Sequence, residues 1–237
     1  MRLLDLTLGS PAENLACDEA LLDWCEAGHC DGLLRFWEPA EHFVVLGYAN
    51  KAAVEVNIEV CEKRSVPVLR RCTGGGAVVQ GPGCLNYSLV LRITGRLQSI
   101  TETNCFVMQR NRDALQPLLK GKVEVRGQSD LAIGDQKFSG NSQRRRREFL
   151  LFHGSFLLNF DLGMIEQLLK FPSKQPDYRS GRPHKEFLTN ADVSPDAIKS
   201  ALAQQWGGHK QSVSIPRQAI DALVREKYSR MEWNLKW

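Results

Sequence analysis

The sequence lacks the features of a membrane-spanning, secreted or strongly nucleic-acid-binding protein. It has no run of about 18 apolar residues, so we expect no transmembrane helix. Its first residues, Met1 to Asp5, turn acidic too early for a signal peptide. The net charge of +4 is mild and gives no argument for nucleic-acid binding. We therefore expect a cytoplasmic protein that binds neither nucleic acid nor a membrane.

Cysteine is absent after Cys105, and the seven cysteines up to and including it contain no Cys-x-x-Cys pair. An odd number of cysteines without close pairs favours reduced thiols. The two common nucleotide motifs are also missing. No Gly-Lys-Ser/Thr follows the glycine-rich stretch, and Val79 stands where a dinucleotide fingerprint needs its third glycine. A nucleotide would therefore have to be bound in some other fold.

What the sequence does have is the run Arg-Arg-Cys-Thr-Gly-Gly-Gly-Ala at residues 70–77. Three successive glycines lose packing and backbone entropy, so they suit a loop that must approach another group closely or adopt positive φ. The neighbouring guanidinium groups match carboxylate or phosphate oxygens. The run predicts a loop around an anionic small molecule. The alternative is a tight turn flanked by surface arginines.

The order of predicted elements favours an α+β fold with mixed, largely antiparallel sheets flanked by helices, because hairpins outnumber strand–helix–strand units. No internal repeat is present. Helices are predicted at 14–27, 54–64, 101–119, 164–171, 194–205 and 220–228, strands at 33–37, 43–47, 66–70, 77–79, 85–93, 123–125, 130–133, 136–140 and 149–160, and a loop at 174–187.

Asp130 and Lys137 flank a predicted hairpin turn at Gly134-Asp135. A lysine near small residues is suited to neutralise a carboxylate or an α-phosphate, and the aspartate to hold Mg²⁺. The alternative is a surface cross-strand ion pair. His153 interrupts an apolar strand, where it is either a core histidine or a polar group that faces a ligand.

A basic run, Arg144 to Arg147, lies between two predicted strands. It is either a solvated loop or a docking surface for an acidic partner. A second group of cations around Arg179, Arg182 and Lys185 could serve the same docking purpose.

These motifs, in this order over roughly residues 1 to 205, resemble lipoate–protein ligases, whose fold also occurs in biotin protein ligases. The resemblance rests on the glycine run with Asn86 after it, on the stretch from Asp130 to Asn141, on His153-Gly154-Ser155 and on the early Asn14 to Leu22. It implies that ATP and Mg²⁺ activate lipoate or octanoate as an acyl-adenylate. The acyl group then passes to a lysine of an apo carrier protein, either a lipoyl domain or an H-type protein.

The resemblance also implies the roles of individual residues. Lys137 would be catalytic, contacting the acyl carbonyl and the phosphate, and Asp130 would hold Mg²⁺. Val78 and Val79 would lie near the adenine, and His153 near the acyl or ribose part. The full set expected to bind substrate or nucleotide is Arg71, Thr73, Gly74, Gly75, Gly76, Ala77, Val78, Val79, Asn86, Ser139, Gly140 and His153.

The resemblance further implies a catalytic domain at 1–205 and a short helical tail at 206–237 packed on it. The large accessory domain of longer ligases appears absent, so we expect either a separate small accessory protein or activity of the chain alone. Two other functions remain open. One is an ATP-independent octanoyl or lipoyl transferase, which would need a cysteine before the Asp130 strand, where 123–129 has none. The other is a non-catalytic module that binds lipoyl groups.

Overall fold

The computed structural model describes residues 1–210 and 214–236. Its strands are β1 (Arg2–Asp5), β2 (Leu33–Trp37), β3 (Phe43–Leu46), β4 (Val68–Arg70), β5 (Val78–Gln80), β6 (Cys84–Arg92), β7 (Val123–Arg126), β8 (Asp130–Ile133), β9 (Gln136–Arg145), β10 (Phe149–Leu157) and β11 (His209–Lys210). Its helices are α1 (Pro11–Glu26), α2 (Ala52–Glu55), α3 (Ile58–Lys63), α4 (Ile100–Leu115), α5 (Leu162–Leu168), α6 (His184–Phe187), α7 (Pro195–Gln205), α8 (Arg217–Leu223) and α9 (Met231–Asn234). Short 3₁₀ turns occupy Gly95–Gln98, Gln116–Leu118 and Asp177–Arg179, and a π-helical turn occupies Val224–Tyr228.

The strands form two mixed sheets. The large sheet has the order β11-β1-β2-β6-β10-β9-β8-β7, and the small sheet has the order β4-β3-β5. In the large sheet, β1 runs parallel to β2 and β11. Each pair of neighbours in the series β2-β6-β10-β9-β8-β7 is antiparallel. The predicted α+β architecture with mixed, largely antiparallel sheets is therefore confirmed.

The two long helices near the cavity begin at serine caps that the sequence makes recognisable. Ser10 accepts a hydrogen bond from the Glu13 backbone, and Pro11 follows it at the first position of α1. Ser99 caps α4 in the same way. Each cap satisfies a backbone donor that would otherwise have no partner in the first turn.

Two predicted elements differ from the structure. The helix expected at 54–64 is divided into α2 and α3, because Val56 leaves the helix to form a β-bridge with Leu169. The loop expected at 174–187 contains a 3₁₀ turn and helix α6. Arg179 and Phe187 are both buried there, so tertiary packing orders a segment whose polar composition suggested a loop.

Helices cover both faces of the large sheet. Leu15, Leu21 and Leu22 of α1 join a core with Phe149 and Leu151 of β10. On the opposite face, α4 and α7 pack over β6, β9 and β10. The α8 helix and the π-helical turn lie against α1. Within the described residues, no helix combines the length and the apolar character that crossing a bilayer requires.

Candidate functional site

Polar side chains form two rows across the large sheet. From β2 to β8, the first row consists of Trp37, Asn86, Ser155, Gly140 and Asp130. The second row, displaced by two residues along the strands, consists of Arg35, Ser88, His153 and Ser142. Because side chains alternate between the faces of a strand, both rows lie on the same face. This is the face on which α1 packs.

A cavity of about 1120 Å³ lies over these rows. This volume exceeds the roughly 300 to 1,000 Å³ typical of small-molecule pockets, so the cavity has room for a ligand with two distinct parts. The glycine run forms one wall, and a covering segment, defined as residues 172–188, forms another. The predicted residues that line the cavity are Arg71, Gly75, Gly76, Ala77, Val78, Val79, Asn86, Asp130, Lys137, Ser139, Gly140 and His153. Thr73 and Gly74 do not line it; Thr73 is buried and Gly74 is exposed.

Lys137 forms an ion pair with Asp130 inside the cavity. The Lys137 Nζ lies 2.8 Å from Asp130 Oδ1, and Tyr178 of the covering segment donates a hydrogen bond of 2.9 Å to Asp130 Oδ2. Burial and the Asp130 carboxylate raise the pKa of Tyr178, which keeps the phenol as a donor. The expected cross-strand pair is present, but it lines the cavity instead of an open surface.

Gly140 leaves room for the side chain of Lys137 on the surface of the sheet. Asp130 pairs with Gly140 in the strand register, whereas Lys137 pairs with Ala132 beyond a bulge, so the lysine must extend along its own strand to reach the aspartate. A Cβ at residue 140 would stand 2.7 Å from Nζ and 2.8 Å from Cε of Lys137. The glycine therefore provides the groove that the lysine side chain occupies.

Arg71 holds the glycine run together from within. Its Nε donates to Thr73 Oγ1 at 3.0 Å and its Nη2 to the Gly76 carbonyl at 2.9 Å, and Nη2 also donates to the Gly74 carbonyl. Gly75 has φ of +87°, and a Cβ there would lie 2.7 Å from Arg71 Nη2. Burial lowers the pKa of Arg71 to about 10. In this structure the guanidinium donates hydrogen bonds to the backbone of the loop, and its predicted contact with substrate stays a prediction.

Arg70 connects the glycine run to the end of the described chain. Its Nε donates to the Trp233 carbonyl at 3.0 Å, and the Trp233 indole donates back to the Arg70 carbonyl at 2.9 Å. The Arg70 backbone also donates to Asn234 Oδ1 at 3.0 Å. Helix α9 therefore fixes the strand that leads into the glycine run.

His153 lies in a hydrogen-bonded chain that joins the glycine run to α1. Its Nε2 lies 2.7 Å from Thr73 Oγ1, and its Nδ1 lies 3.5 Å from Asp18 Oδ2. Asp18 Oδ1 in turn accepts a 2.7 Å hydrogen bond from buried Arg35. Burial alone would raise the pKa of Asp18, but Arg35 and His153 lower it below its ordinary value. His153 is thus both anchored in the fold and exposed to the cavity.

Six of the seven cysteines are buried as packing residues, and Cys105 is exposed. None of the seven cysteines, all of which lie in the described part of the chain, lines the cavity. Burial raises the pKa of Cys17, Cys72 and Cys84 to about 12 in each case. Thiols of this kind remain protonated at neutral pH, and a thiol is a poor nucleophile compared with a thiolate.

The basic run is largely engaged inside the fold. Arg144 donates to the Cys72 carbonyl at 2.9 Å, Arg145 donates to backbone carbonyls near Leu97, and Arg146 pairs with Asp23 at 2.7 Å. The side chain of Arg147 is the exposed member. The solvated-loop interpretation is therefore wrong for most of the run, and three of the four guanidinium groups have partners in the chain itself.

A metal ion would find a carboxylate but no preformed cage. No group of three or more His, Cys, Asp or Glu side chains that could hold a metal occurs within residues 1–210 and 214–236. Mg²⁺ is commonly bound through one or two carboxylates together with substrate phosphates. Asp130 fits that pattern, because each of its oxygens keeps a lone pair beyond its present hydrogen bond.

The sequence analysis did not single out Asp18, Trp37 or Tyr178 as cavity residues, although all three line it. Asp18 belongs to the early motif from Asn14 to Leu22, which was an available signal. Trp37 and Tyr178 reach the site only through strand register and the fold of the covering segment, which no local pattern specifies.

Comparison with known proteins agrees with the site geometry. A model of the lipoyl protein ligase A/B catalytic domain matches residues 10–206. The octanoyltransferase LipM of Geobacillus kaustophilus is 26% identical over 282 residues, which covers 99% of this chain and 98% of the relative. Lipoate-protein ligase A subunit 1 of Thermoplasma acidophilum is 29% identical over 256 residues, which covers 99% of this chain and 96% of the relative.

Solved structures give the same result. A structure of the bi-partite lipoate protein ligase of Thermoplasma acidophilum superposes with a TM-score of 0.83 at 27% identity, covering 99% of this chain and 95% of that one. A lipoate-protein ligase A bound with ATP superposes with a TM-score of 0.81 at 26% identity, covering 99% and 98%. The family model covers most of the chain, and these folds match along nearly its whole length. The chain therefore belongs to the lipoyl protein ligase A/B catalytic domain family, as its motifs predicted.

Proposed function

We propose that this chain is an ATP-dependent lipoate–protein ligase. It activates lipoate or octanoate as an acyl-adenylate and transfers the acyl group to a lysine of a lipoyl domain or an H-type carrier protein. The observation that carries the proposal is the Lys137–Asp130 pair in a cavity that no cysteine lines. Similarity alone does not distinguish a ligase from a transferase, since the relatives include both an octanoyltransferase and a ligase subunit.

The chemistry of activation needs positive charge more than it needs a nucleophilic side chain. A free carboxylate attacks the α-phosphorus of ATP, and pyrophosphate leaves. The ammonium of Lys137 is suited to offset the charge that develops on the phosphoryl oxygens. The backbone amides of Gly75 and Gly76 add fixed dipoles from the opposite wall. Mg²⁺, held by Asp130 and the phosphates, would neutralise further phosphate charge when bound.

The transfer step uses the same residues. The amine of the acceptor lysine attacks the acyl carbonyl and AMP leaves. Lys137 stabilises the carbonyl oxygen as it gains negative charge. The cavity holds both halves of the adenylate, so the acceptor enters at the open side and meets a positioned electrophile. The Thermoplasma protein is described as a bi-partite lipoate protein ligase that has its own E2 lipoyl domain, which supports a lipoyl carrier as the partner of this chain.

The proposal is tested by lipoate-dependent exchange of labelled pyrophosphate into ATP, with Mg²⁺ and the purified chain. Lys137→Ala is expected to abolish exchange, and Lys120→Ala, a change of an exposed lysine that does not line the cavity, is expected to leave it intact. Exchange by the purified chain alone would also show that the activation step needs no accessory protein. A wild-type chain that shows no exchange, with or without a lipoyl carrier present, but transfers an octanoyl group from an octanoylated carrier protein would contradict the proposal.

The second candidate is an ATP-independent octanoyl or lipoyl transferase, which the similarity to LipM favours. That reaction needs a thiolate. Cys72 and Cys84 are nearest in sequence to the glycine run, and both are buried with raised pKa values of about 12. A Cys72→Ala, Cys84→Ala double variant is expected to keep acyl transfer to the carrier. Complete loss of transfer from an octanoylated donor, with the fold intact, would instead favour the transferase.

A further inference from the structure

Arg179 differs from the other buried arginines of the fold. Arg35 donates to Asp18 and Asn14, Arg70 to backbone carbonyls around Gly47 and the end of the chain, and Arg71 to the glycine run. Arg179 is only 4% exposed, yet the sole hydrogen bond of its side chain among the described residues runs from Nε to the Arg182 carbonyl at 2.9 Å. Neither terminal nitrogen has a partner, and Nη2 is a buried donor without an acceptor.

The Arg179 guanidinium is held rigidly although its donors are unused. Its Cζ lies 5.0 Å from the ring of Phe171 and 4.9 Å from the ring of Phe187. Aromatic contacts on the faces of a guanidinium leave its N–H edges available. No carboxylate within the described residues pairs with it, and it lines the cavity. The guanidinium therefore lies at the wall of the cavity between two aromatic rings, and its terminal N–H groups have no acceptor among the described residues.

Such an arrangement is costly unless an anion completes it. A guanidinium remains protonated in proteins, so burial without a counter-charge cannot be relieved by loss of the proton. Planar forks bind phosphate and carboxylate oxygens through two parallel hydrogen bonds. Arg179 thus has the chemistry of an anion-binding residue whose anion enters with the ligand.

The position of Arg179 indicates which anion it would bind. It follows Tyr178, whose hydroxyl is bonded to Asp130 and so to the Lys137 pair. Its stacking partner Phe187 precedes Leu188, which forms a β-bridge with Lys137. Arg179 therefore lines the same cavity as Lys137, on the segment whose Tyr178 contacts Asp130. Lys137 already shares its charge with a carboxylate, so the next phosphates along the chain need another cation.

We infer that Arg179 binds the β- and γ-phosphates of ATP and the pyrophosphate that they become, an inference that rests on the proposed function. In the activation step, the substrate carboxylate oxygen forms a bond to the α-phosphorus. The bond from that phosphorus to the α,β-bridging oxygen breaks, and its electron pair leaves with pyrophosphate. Arg179 offsets the added charge on this leaving group, and no proton transfer is required.

The test compares Arg179→Gln and Arg179→Lys with Lys185→Gln. Lys185 is a matched control because it carries the same charge on the same segment, pairs with Glu166 and does not line the cavity. Three quantities are measured: the KM for ATP in exchange, the Kd for inorganic pyrophosphate by calorimetry, and the rate of acyl transfer from supplied lipoyl-adenylate. Melting temperatures establish that each variant is folded.

We expect Arg179→Gln to raise the KM for ATP and the Kd for pyrophosphate by about 10- to 100-fold, the range for losing hydrogen bonds to a charged group. Transfer from supplied lipoyl-adenylate, which has no β-phosphate, should stay within about twofold of wild type. Arg179→Lys keeps the charge and loses the fork, so it should show the same selective defect to a smaller extent. Lys185→Gln should resemble wild type in the KM for ATP and the Kd for pyrophosphate, the two measurements that involve no carrier protein.

Three results would overturn the inference: an unchanged pyrophosphate Kd, an equal loss in transfer from lipoyl-adenylate, or a raised KM for lipoate in place of ATP. The last would assign the guanidinium to the substrate carboxylate. Failure of the proposed function is a separate outcome, because it is seen as absent exchange in the wild-type chain. Pyrophosphate binding by wild type and variants decides the role of Arg179 even then.

Discussion

The substitution Gly140→Ala tests whether the reaction depends on the position of the Lys137 ammonium group as well as on its presence. It leaves Lys137 and Asp130 in place and changes only the floor beneath the lysine side chain. The new Cβ would lie 2.7 Å from Nζ and 2.8 Å from Cε of Lys137, whereas comfortable contact between such atoms begins near about 3.5 Å. The ammonium must therefore move by roughly 0.7 to 1 Å, which lengthens or breaks its 2.8 Å pair with Asp130.

The expected effect on activity is large and the effect on stability is small. A displacement of about 1 Å at a reacting centre can cost about 100-fold in rate. Gly140 does not have a positive φ, so alanine introduces no backbone strain and reduces the entropy of the unfolded chain by the equivalent of about 0.4 to 1 kcal/mol. The lost ion pair is partly exposed and contributes about 1 kcal/mol or less. These terms nearly cancel.

The assay is lipoate-dependent pyrophosphate exchange, with the unfolding midpoint in urea measured on the same preparations. Gly9→Ala is the matched control, because its Cβ would crowd only the end of a flexible side chain, 3.2 Å from Glu13 Oε2, away from the cavity. We expect a fall of about 100-fold for Gly140→Ala, with an urea midpoint close to wild type, and no fall for the control. A Gly140→Ala protein with the wild-type rate would refute the argument that the reaction depends on this lysine position.

Three further changes test one buried charge, one that is paired in the fold and one that is exposed. Asp18→Asn should lower the free energy of unfolding by about 3 to 5 kcal/mol, measured by urea titration at pH 7, because it leaves the Arg35 guanidinium buried without its partner. Since the folded-state pKa of Asp18 is lowered, its stabilisation is present above the ordinary pKa and is lost as the pH falls; the wild-type midpoint should therefore decline more steeply below about pH 4 than that of the variant. Arg146→Glu should cost about 1 kcal/mol by breaking the pair with Asp23, without changing the KM for the carrier protein, whereas Arg147→Glu should raise that KM if the basic run contacts the carrier. A raised KM from the Arg146 change with unaltered stability would reverse this assignment.

The fold was largely predictable because its signals are local. The Gly134 turn and the spacing of apolar residues place most of the predicted helices and strands within a few residues of their observed bounds. The failures occur where long-range packing decides. The helix expected at 54–64 is interrupted by a bridge to Leu169, a partner more than a hundred positions away. The end of helix α4 at Leu115 and the 3₁₀ turn after it were similarly hidden by a continuing helical pattern.

The site was predictable to the extent that its residues lie in compact motifs. The glycine run, Asp130, Lys137 and His153 were identified from the chain, and the structure brings them around one cavity. What the motifs could not supply is how these groups are supported. Strand register places Trp37 and Ser155 in the same row as Asp130, and the hydrogen bond from Thr73 to His153 spans 80 residues. Such contacts depend on tertiary structure that no short pattern encodes.

The arginines show why residue type alone misjudges function. The sequence presents Arg144 to Arg147 and Arg179 as equivalent clusters of positive charge, and both suggested a docking surface. In the structure most of the first cluster bonds to carbonyls and to Asp23, while Arg179 is buried with its fork unused. A guanidinium in water loses little when no partner is present, whereas a buried one with unused N–H donors costs free energy until an acceptor binds it. The sequence cannot show which arginines have hydrogen-bond or ion-pair partners. The structure shows this, and it favours the cavity over the surface as the place where an anion would bind.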